Sequence, residues 1–262
     1  PALREAGEHG VWSRTAPSWE SPYVSQGFLD IQRELVSHRA FEVEYEAKFV
    51  DWAGMVFDSE SIEGCIVPRV EIQGGPISIG VDWGRYEDFT AVAVLEGDRT
   101  QSRLLELVQF RRNKWPEMVS RVAQIIRRYP HAEVLGDGTG VGDVVADMLD
   151  MEMGKPVKVL KFTNESKQHL IEGLKICMES QRMQFAPDPE LIRQLKHFES
   201  SVSSAGNTLL AARSGTHDDL VIALALGCSL LPKGPAGPVL LGETRVFAKP
   251  RLKFEDLCFS AN

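Results

Sequence analysis

The sequence lacks the signatures of several large protein classes. Its four cysteines, at 65, 177, 228 and 258, include no CxxC pair, so neither a zinc ribbon nor a disulfide framework is expected, only four reduced thiols. The six histidines (His9, His38, His131, His169, His197, His217) form no HExxH or HxH cluster, which argues against a histidine zinc site. The longest apolar run, Leu220 to Leu231, covers 12 residues and contains Gly227 and Ser229. A membrane span needs ~18 or more, so no membrane association is expected. No basic-then-apolar leader opens the chain. Residue 1 is Pro, from which a fragment or processed product of a longer protein is expected. Internal repeats and low-complexity tracts are absent, and no GxxxxGK[ST] loop occurs.

An excess of positive charge is also missing. The 262 residues carry 29 basic and 37 acidic side chains, a net of −8. Residues 1–64 hold 12 acidic and 5 basic groups, however, so most of the imbalance is N-terminal and the remaining 198 residues are nearly neutral. If several of those acids hold divalent cations, the occupied surface becomes net positive, so whole-chain charge does not exclude nucleic acid. Apolar residues at 43% and charged residues at 25% are ordinary for a globular protein. The length suits one large domain with an appendage, or two small ones.

The first ~25 residues read as loop, and Gly27–Phe49 has apolar residues spaced for one helix face. Residues 1–70 are expected to form a connecting arm without its own core, followed by a domain over 71–232 and a weakly structured tail over 233–262. Ile77–Trp83 and Phe89–Leu95 are two buried-strand runs joined by turn residues, and Arg103–Phe110 makes a third strand. A helix over Trp115–Tyr129 leads to a strand at Ala132–Leu135, a helix at Val141–Leu149 and a strand at Val157–Phe162. Helices follow at 165–180 and 188–200, separated by Met183–Phe185, then a hairpin over 201–213 and a final helix over 217–231. The fold class is therefore α/β, a mixed central sheet of three antiparallel strands then two parallel ones, flanked by helices.

Three acidic positions stand out by their place in this order. Asp82 ends the first strand, Asp137 follows the fourth between two glycines, and Asp218 and Asp219 open the last helix. If the first and fourth strands are adjacent and parallel, Asp82 and Asp137 emerge side by side at the carboxyl edge, where ligands bind. Carboxylates converging without basic partners repel, and divalent cations relieve that repulsion. Oxygen ligands select hard ions such as Mg²⁺ or Mn²⁺, and two such ions catalyse phosphodiester hydrolysis. Taken singly, each acid also fits a turn or a helix cap. Gly136–Gly142 (GDGTGVG) matches neither a Walker A loop nor GxGxxG. Adjacent helical residues differ by ~100° in direction, so Asp218 and Asp219 are expected to divide their work. One should cap the helix through its carboxylate and the other should face the metal.

Gly80-Val81-Asp82-Trp83-Gly84 with Asp88-Phe89-Thr90-Ala91-Val92 resembles the opening motif of the nuclease domain of the large terminase subunit of tailed bacteriophages. Asp137-Gly138-Thr139-Gly140-Val141-Gly142-Asp143 resembles its second motif, and His217-Asp218-Asp219-Leu220-Val221-Ile222-Ala223-Leu224-Ala225 its third. Glu44–Asp51 through Val56-Phe57 is similar to the segment joining that family's ATPase to its nuclease. The resemblance implies an RNase H-like fold of the resolvase/integrase superfamily and a two-metal endonuclease that cuts concatemeric double-stranded DNA during genome packaging.

It also implies residue roles. Asp82 bridges two Mg²⁺ or Mn²⁺ ions, Asp137 holds one, Asp219 or Asp218 holds the other, and Asp88 serves as an outer ligand. His217 caps the helix or orients water or phosphate. Arg85, Arg213, Lys161 and Lys167 are candidates for the DNA track, and Trp83 is expected in the core. Portal protein and the small terminase subunit are the implied partners, in the host cytoplasm and transiently on the procapsid portal. The rival readings are an RNase H-like junction resolvase and a non-catalytic module docking on portal or small subunit.

Overall fold

Serines start the first two helices. The computed structural model describes residues 15–48, 54–84, 89–111, 114–140, 142–154, 156–202, 208–213 and 215–233. Helix α1 (Gln26–Leu35) begins where the Ser25 hydroxyl accepts from the Phe28 N–H, and α2 (His38–Glu44) where Ser37 accepts from Ala40. The single helix expected over 27–49 is thus broken. Val36 is extended, and the N–H groups of Ser37 and His38 donate to Glu172 and Glu179, 135 and 141 residues away. A serine cap and two carboxylates at the new N-terminus outweigh the apolar spacing that runs across the break.

Strand β1 (Gly54–Met55) and helix α3 (Ser59–Gly64) come next, the latter capped by Asp58 through the Ser61 N–H at 2.7 Å. Phe57, Ile62 and Cys65 are buried in the main core. The stretch from Gly54 onward therefore packs with the residues that follow. The Phe57 ring meets that of Phe198, 141 residues away, a contact that sequence spacing does not reveal.

Near-continuous apolar runs build the central sheet. Strands β2 (Ile77–Asp82), β3 (Phe89–Gly97) and β4 (Ser102–Arg111) are consecutive and antiparallel. Helix α4 (Trp115–Arg127) crosses to β5 (Glu133–Asp137), which pairs parallel with β2. Helix α5 (Gly142–Met153) then leads to β6 (Lys158–Leu160), parallel to β5. After α6 (Asn164–Glu179), the two-residue β7 (Met183–Gln184) adds in parallel to β4, giving the order β6-β5-β2-β3-β4-β7. The expected five-stranded arrangement is present with this sixth strand at one edge.

Helix α7 (Pro189–Lys196) stops short of the expected residue 200, because Phe198–Val202 forms β8 and pairs antiparallel with both β1 and β9 (Thr208–Ala212). The pairing depends on β1, which lies in the arm and could not be matched from local sequence. Helix α8 (Asp219–Ser229) closes the described fold. The C-terminal tail, apart from its first residue Lys233, lies outside the described residues, as does Cys258; Cys65, Cys177 and Cys228 are free and buried. Among the described residues no helix is long and apolar enough to cross a membrane.

Alternation along β2 and β3 divides the core in two. Ile79, Val81, Val92 and Val94 pack with Trp83 against α4 and α5, whereas Ala91, Ala93 and Leu95 pack against α6, α7 and α8. Every residue of α8 from Asp219 to Cys228 is buried, as expected of a helix that is apolar all round. It lies directly on β2 at Gly80, where a Cβ would run into the Ala223 carbonyl oxygen and the Gly227 backbone nitrogen. Backbone on both sides leaves nothing to yield. Gly80→Ala should therefore destabilise the protein by at least about 2 kcal/mol, lowering Tm in a thermal melt by ~4–8 °C. An unchanged Tm would show that the helix can lift from the sheet.

Candidate functional site

The register of two strands brings the first pair of acids together. Because β2 and β5 are parallel with Val81 opposite Gly136, Asp82 and Asp137 leave the sheet next to each other at its carboxyl edge. Helix α8 starts at Asp219, just across from them. A cavity of about 290 Å³ is lined by Asp82, Asp137, Asp218 and Asp219, with Lys167 and His217 on the same wall. A larger cavity of about 750 Å³, between α1, α2, α6 and the β8–β9 ribbon, is lined mainly by apolar residues and contains none of these acids. The acids singled out from sequence gather at the smaller one.

Each carboxylate is held differently. Asp137 accepts from the Thr139 N–H at 2.7 Å and still faces the cavity with its remaining capacity. Asp219 is 6% exposed; the Gln109 side-chain amide donates to its Oδ2 at 3.4 Å, and His217 Nδ1 lies 3.7 Å from the same oxygen. His217 stands edge-on to Phe89, with ring centroids 5.0 Å apart, and the Arg111 guanidinium covers Phe89 at 4.8 Å. Asp218 lies 3.6 Å from Lys167 Nζ.

The expected division of labour at α8 is not what the structure shows. Asp218 does occupy the N-cap, but its side chain makes no capping hydrogen bond. The Leu220 N–H instead donates to Gln194 Oε1 at 2.9 Å. A glutamine on a neighbouring helix caps α8, and the Asp218 carboxylate lines the cavity.

Electrostatics follow from this crowding. Burial raises the Asp82 carboxyl well above its ordinary value, and Asp219, Asp137 and Asp218 push it further, with Lys167 the opposing charge. Four acids facing one cavity are an oxygen donor set, the kind that suits hard divalent cations. Among the described residues no three His, Cys, Asp or Glu side chains are gathered tightly enough to close round a single ion. The acids stand around the cavity as an open set.

Of the residues singled out from sequence, Asp82, Asp137, Asp218, Asp219 and Lys167 line the one cavity. Lys161 is exposed on the adjoining β6–α6 loop and Arg213 on the segment before α8, so both flank the cavity without lining it. Arg85 and Asp88 lie outside the described residues. Trp83 is buried in the core beside α4 and α5, as expected. Gln109 and Gln194 escaped sequence reading. Gln109 is an uncharged polar residue within a largely apolar strand, and Gln194 shares the buried face of α7 with Leu191 and Leu195; a polar side chain at an apolar position was the only signal for either.

The family model of the Terminase RNaseH-like domain matches residues 79–229. The large terminase subunit of Thermus phage G20c is 27% identical over 226 residues, covering 82% of this chain and 46% of that protein. The chain thus spans about half the length of this curated relative. The crystal structure of the large terminase nuclease from thermophilic phage G20c with bound magnesium aligns at 27% identity and a TM-score of 0.59, covering 67% of this chain and 97% of that one. The same nuclease has been crystallised with bound cobalt and with bound zinc. The large terminase of a second thermophilic bacteriophage shares the fold at 11% identity, with a TM-score of 0.64 over 86% of this chain and 57% of that one. With the match spanning more than half of the sequence and taking in the sheet, the cavity and α8, the chain belongs to the terminase RNase H-like domain family, the nuclease domains of large terminase subunits.

Proposed function

We propose that this domain is a two-metal endonuclease that hydrolyses phosphodiester bonds of double-stranded DNA. The observation that carries the reading is the convergence of Asp82, Asp137, Asp218 and Asp219 on one cavity, crowded enough to lift the Asp82 carboxyl. In this reading Asp82, Asp137 and Asp219 or Asp218 would hold two Mg²⁺ or Mn²⁺ ions, with Asp82 shared by both. Such ions supply an activated water and stabilise the leaving oxygen.

The protein's own groups supply orientation. Gln109 holds the Asp219 carboxylate from the sheet, His217 lies beside the same oxygen, and Lys167 places a positive charge where a phosphate would approach. Lys161 and Arg213 extend that charge beyond the cavity as a track for the DNA backbone, a role the sequence also suggests for Arg85. The bound magnesium, cobalt and zinc of the phage G20c nuclease support divalent-cation use. Kinship with large terminase subunits supports concatemeric viral DNA as the substrate and genome packaging as the setting. Portal protein and the small terminase subunit are then the partners, in the host cytoplasm and transiently at the procapsid portal.

Supercoiled plasmid incubated with the domain and Mn²⁺ or Mg²⁺ should be nicked and linearised, and EDTA should abolish the cutting. Asp82→Ala and Asp137→Asn should each reduce the rate by at least ~100-fold, since even the residues behind metal ligands are worth 10–100-fold. Cutting that persists in EDTA would overturn the reading.

A second expectation needs no substrate. A carboxyl whose folded value is raised stabilises the fold below its unfolded value of 3.8, and this stability is lost as pH rises through the elevated one. In EDTA, Asp82→Asn should therefore melt above the parent at about pH 8, by ~2–4 °C per kcal/mol relieved, and the gap should narrow toward about pH 5. Mn²⁺ should raise the Tm of the parent more than that of the variant. A gap independent of pH would mean that Asp82 is not crowded by its neighbours.

A further inference from the structure

Aspartate is among the strongest N-cap residues, and its side chain ordinarily accepts from the N–H two or three positions into the helix. Asp218 stands at the N-cap of α8 with no such bond. The donor two positions in is Leu220, buried at 2% exposure, so its N–H must find an acceptor. Two side chains are placed to provide one. Gln194 of α7, with no exposed surface, takes it at 2.9 Å, while Asp218 lines the carboxylate cavity beside Lys167.

The Gln194 amide is held in the required orientation. Its Nε2 donates to Glu190 Oε1 at 2.9 Å, which leaves Oε1 as the group facing Leu220. Glu190 is fixed in turn by Arg193, whose Nη2 and Nε donate to its two carboxylate oxygens at 2.6 and 2.9 Å. The arrangement runs from a surface ion pair through a buried amide to the first turn of the helix that carries Asp219.

We infer that Gln194 is a positioning residue: by taking the helix-cap donor that Asp218 would otherwise take, it keeps the Asp218 carboxylate in the cavity. This deepens the metal-site reading proposed above and rests on it for its consequence, though not for its geometry. A carboxylate makes a stronger hydrogen bond than a neutral amide and is favoured at a helix N-terminus. Once the amide oxygen is removed, Asp218 should swing onto Leu220 and leave the cavity.

The test is a cycle of four proteins, the parent, Asp218→Ala, Gln194→Met and the double variant, melted in EDTA. Asp218→Ala should leave the parental Tm within about 1 °C or raise it, because no cap is lost. In the Gln194→Met background the same substitution should lower Tm by ~2–4 °C, the loss of a newly formed aspartate cap. Should Gln194→Met not fold, Glu190→Ala loosens the amide from the surface and should show the same signs at smaller size.

Calorimetric titration with Mn²⁺ gives the second readout. Gln194→Met should weaken binding ~10-fold, and adding Asp218→Ala to it should change little further. Equal Tm effects of Asp218→Ala in both backgrounds overturn the inference whatever the metal result. If the parent binds no Mn²⁺, the metal reading fails alone, and the melting cycle still decides whether Gln194 frees Asp218.

Discussion

The close approach of α8 to β2 is the constraint on which the site depends. A helix cannot lie this near a strand unless the strand lacks a side chain at the crossing, and Gly80 provides that gap beneath Ala223 and Gly227. From the crossing, Asp82 is two residues along the strand, about 6.6 Å, and Asp219 is one helical turn away, about 6 Å. The two steps are nearly equal, so the carboxylates reach one cavity. Parallel pairing of β2 with β5 adds Asp137 by the same logic, since Val81 lies opposite Gly136.

Bringing these acids together works against stability. Burial and three neighbouring aspartates all oppose ionisation of Asp82, and Lys167 answers only part of that charge. Such an arrangement is unfavourable as a structural device and is retained where a cation or a substrate charge completes it. The apolar body of α8, buried through Cys228, supplies the packing that holds the acids in place despite their repulsion.

Polar residues remote in sequence then set where each acid points. Gln109 reaches Asp219 from β4, 110 positions away, and Gln194 reaches the Leu220 N–H from α7. Local rules assigned the cap of α8 to one of its own aspartates, which is sound for an isolated helix. In the folded protein a buried amide competes for the same donor and holds it, and Asp218 is released to the cavity. The same kind of competition breaks the N-terminal helix at Ser37, where Glu172 and Glu179 of α6 receive the new N-terminal N–H groups.

Much was legible in the residues themselves. The apolar runs at Ile77–Asp82 and Phe89–Gly97, the proline-started helix at Trp115 and the wholly apolar α8 carry periodicities that do not depend on distant partners, so the mixed sheet and its antiparallel centre could be read from them. The acids Asp82, Asp137, Asp218 and Asp219 could be chosen because strand ends and helix starts are local features. What the chain could not reveal was every pairing between segments far apart: β1 with β8, Phe57 and Ile62 with the main core, β7 with β4, and the amides that orient the acids. Those contacts have no period and no motif. They exist only once two surfaces meet, and so tertiary structure alone decided them.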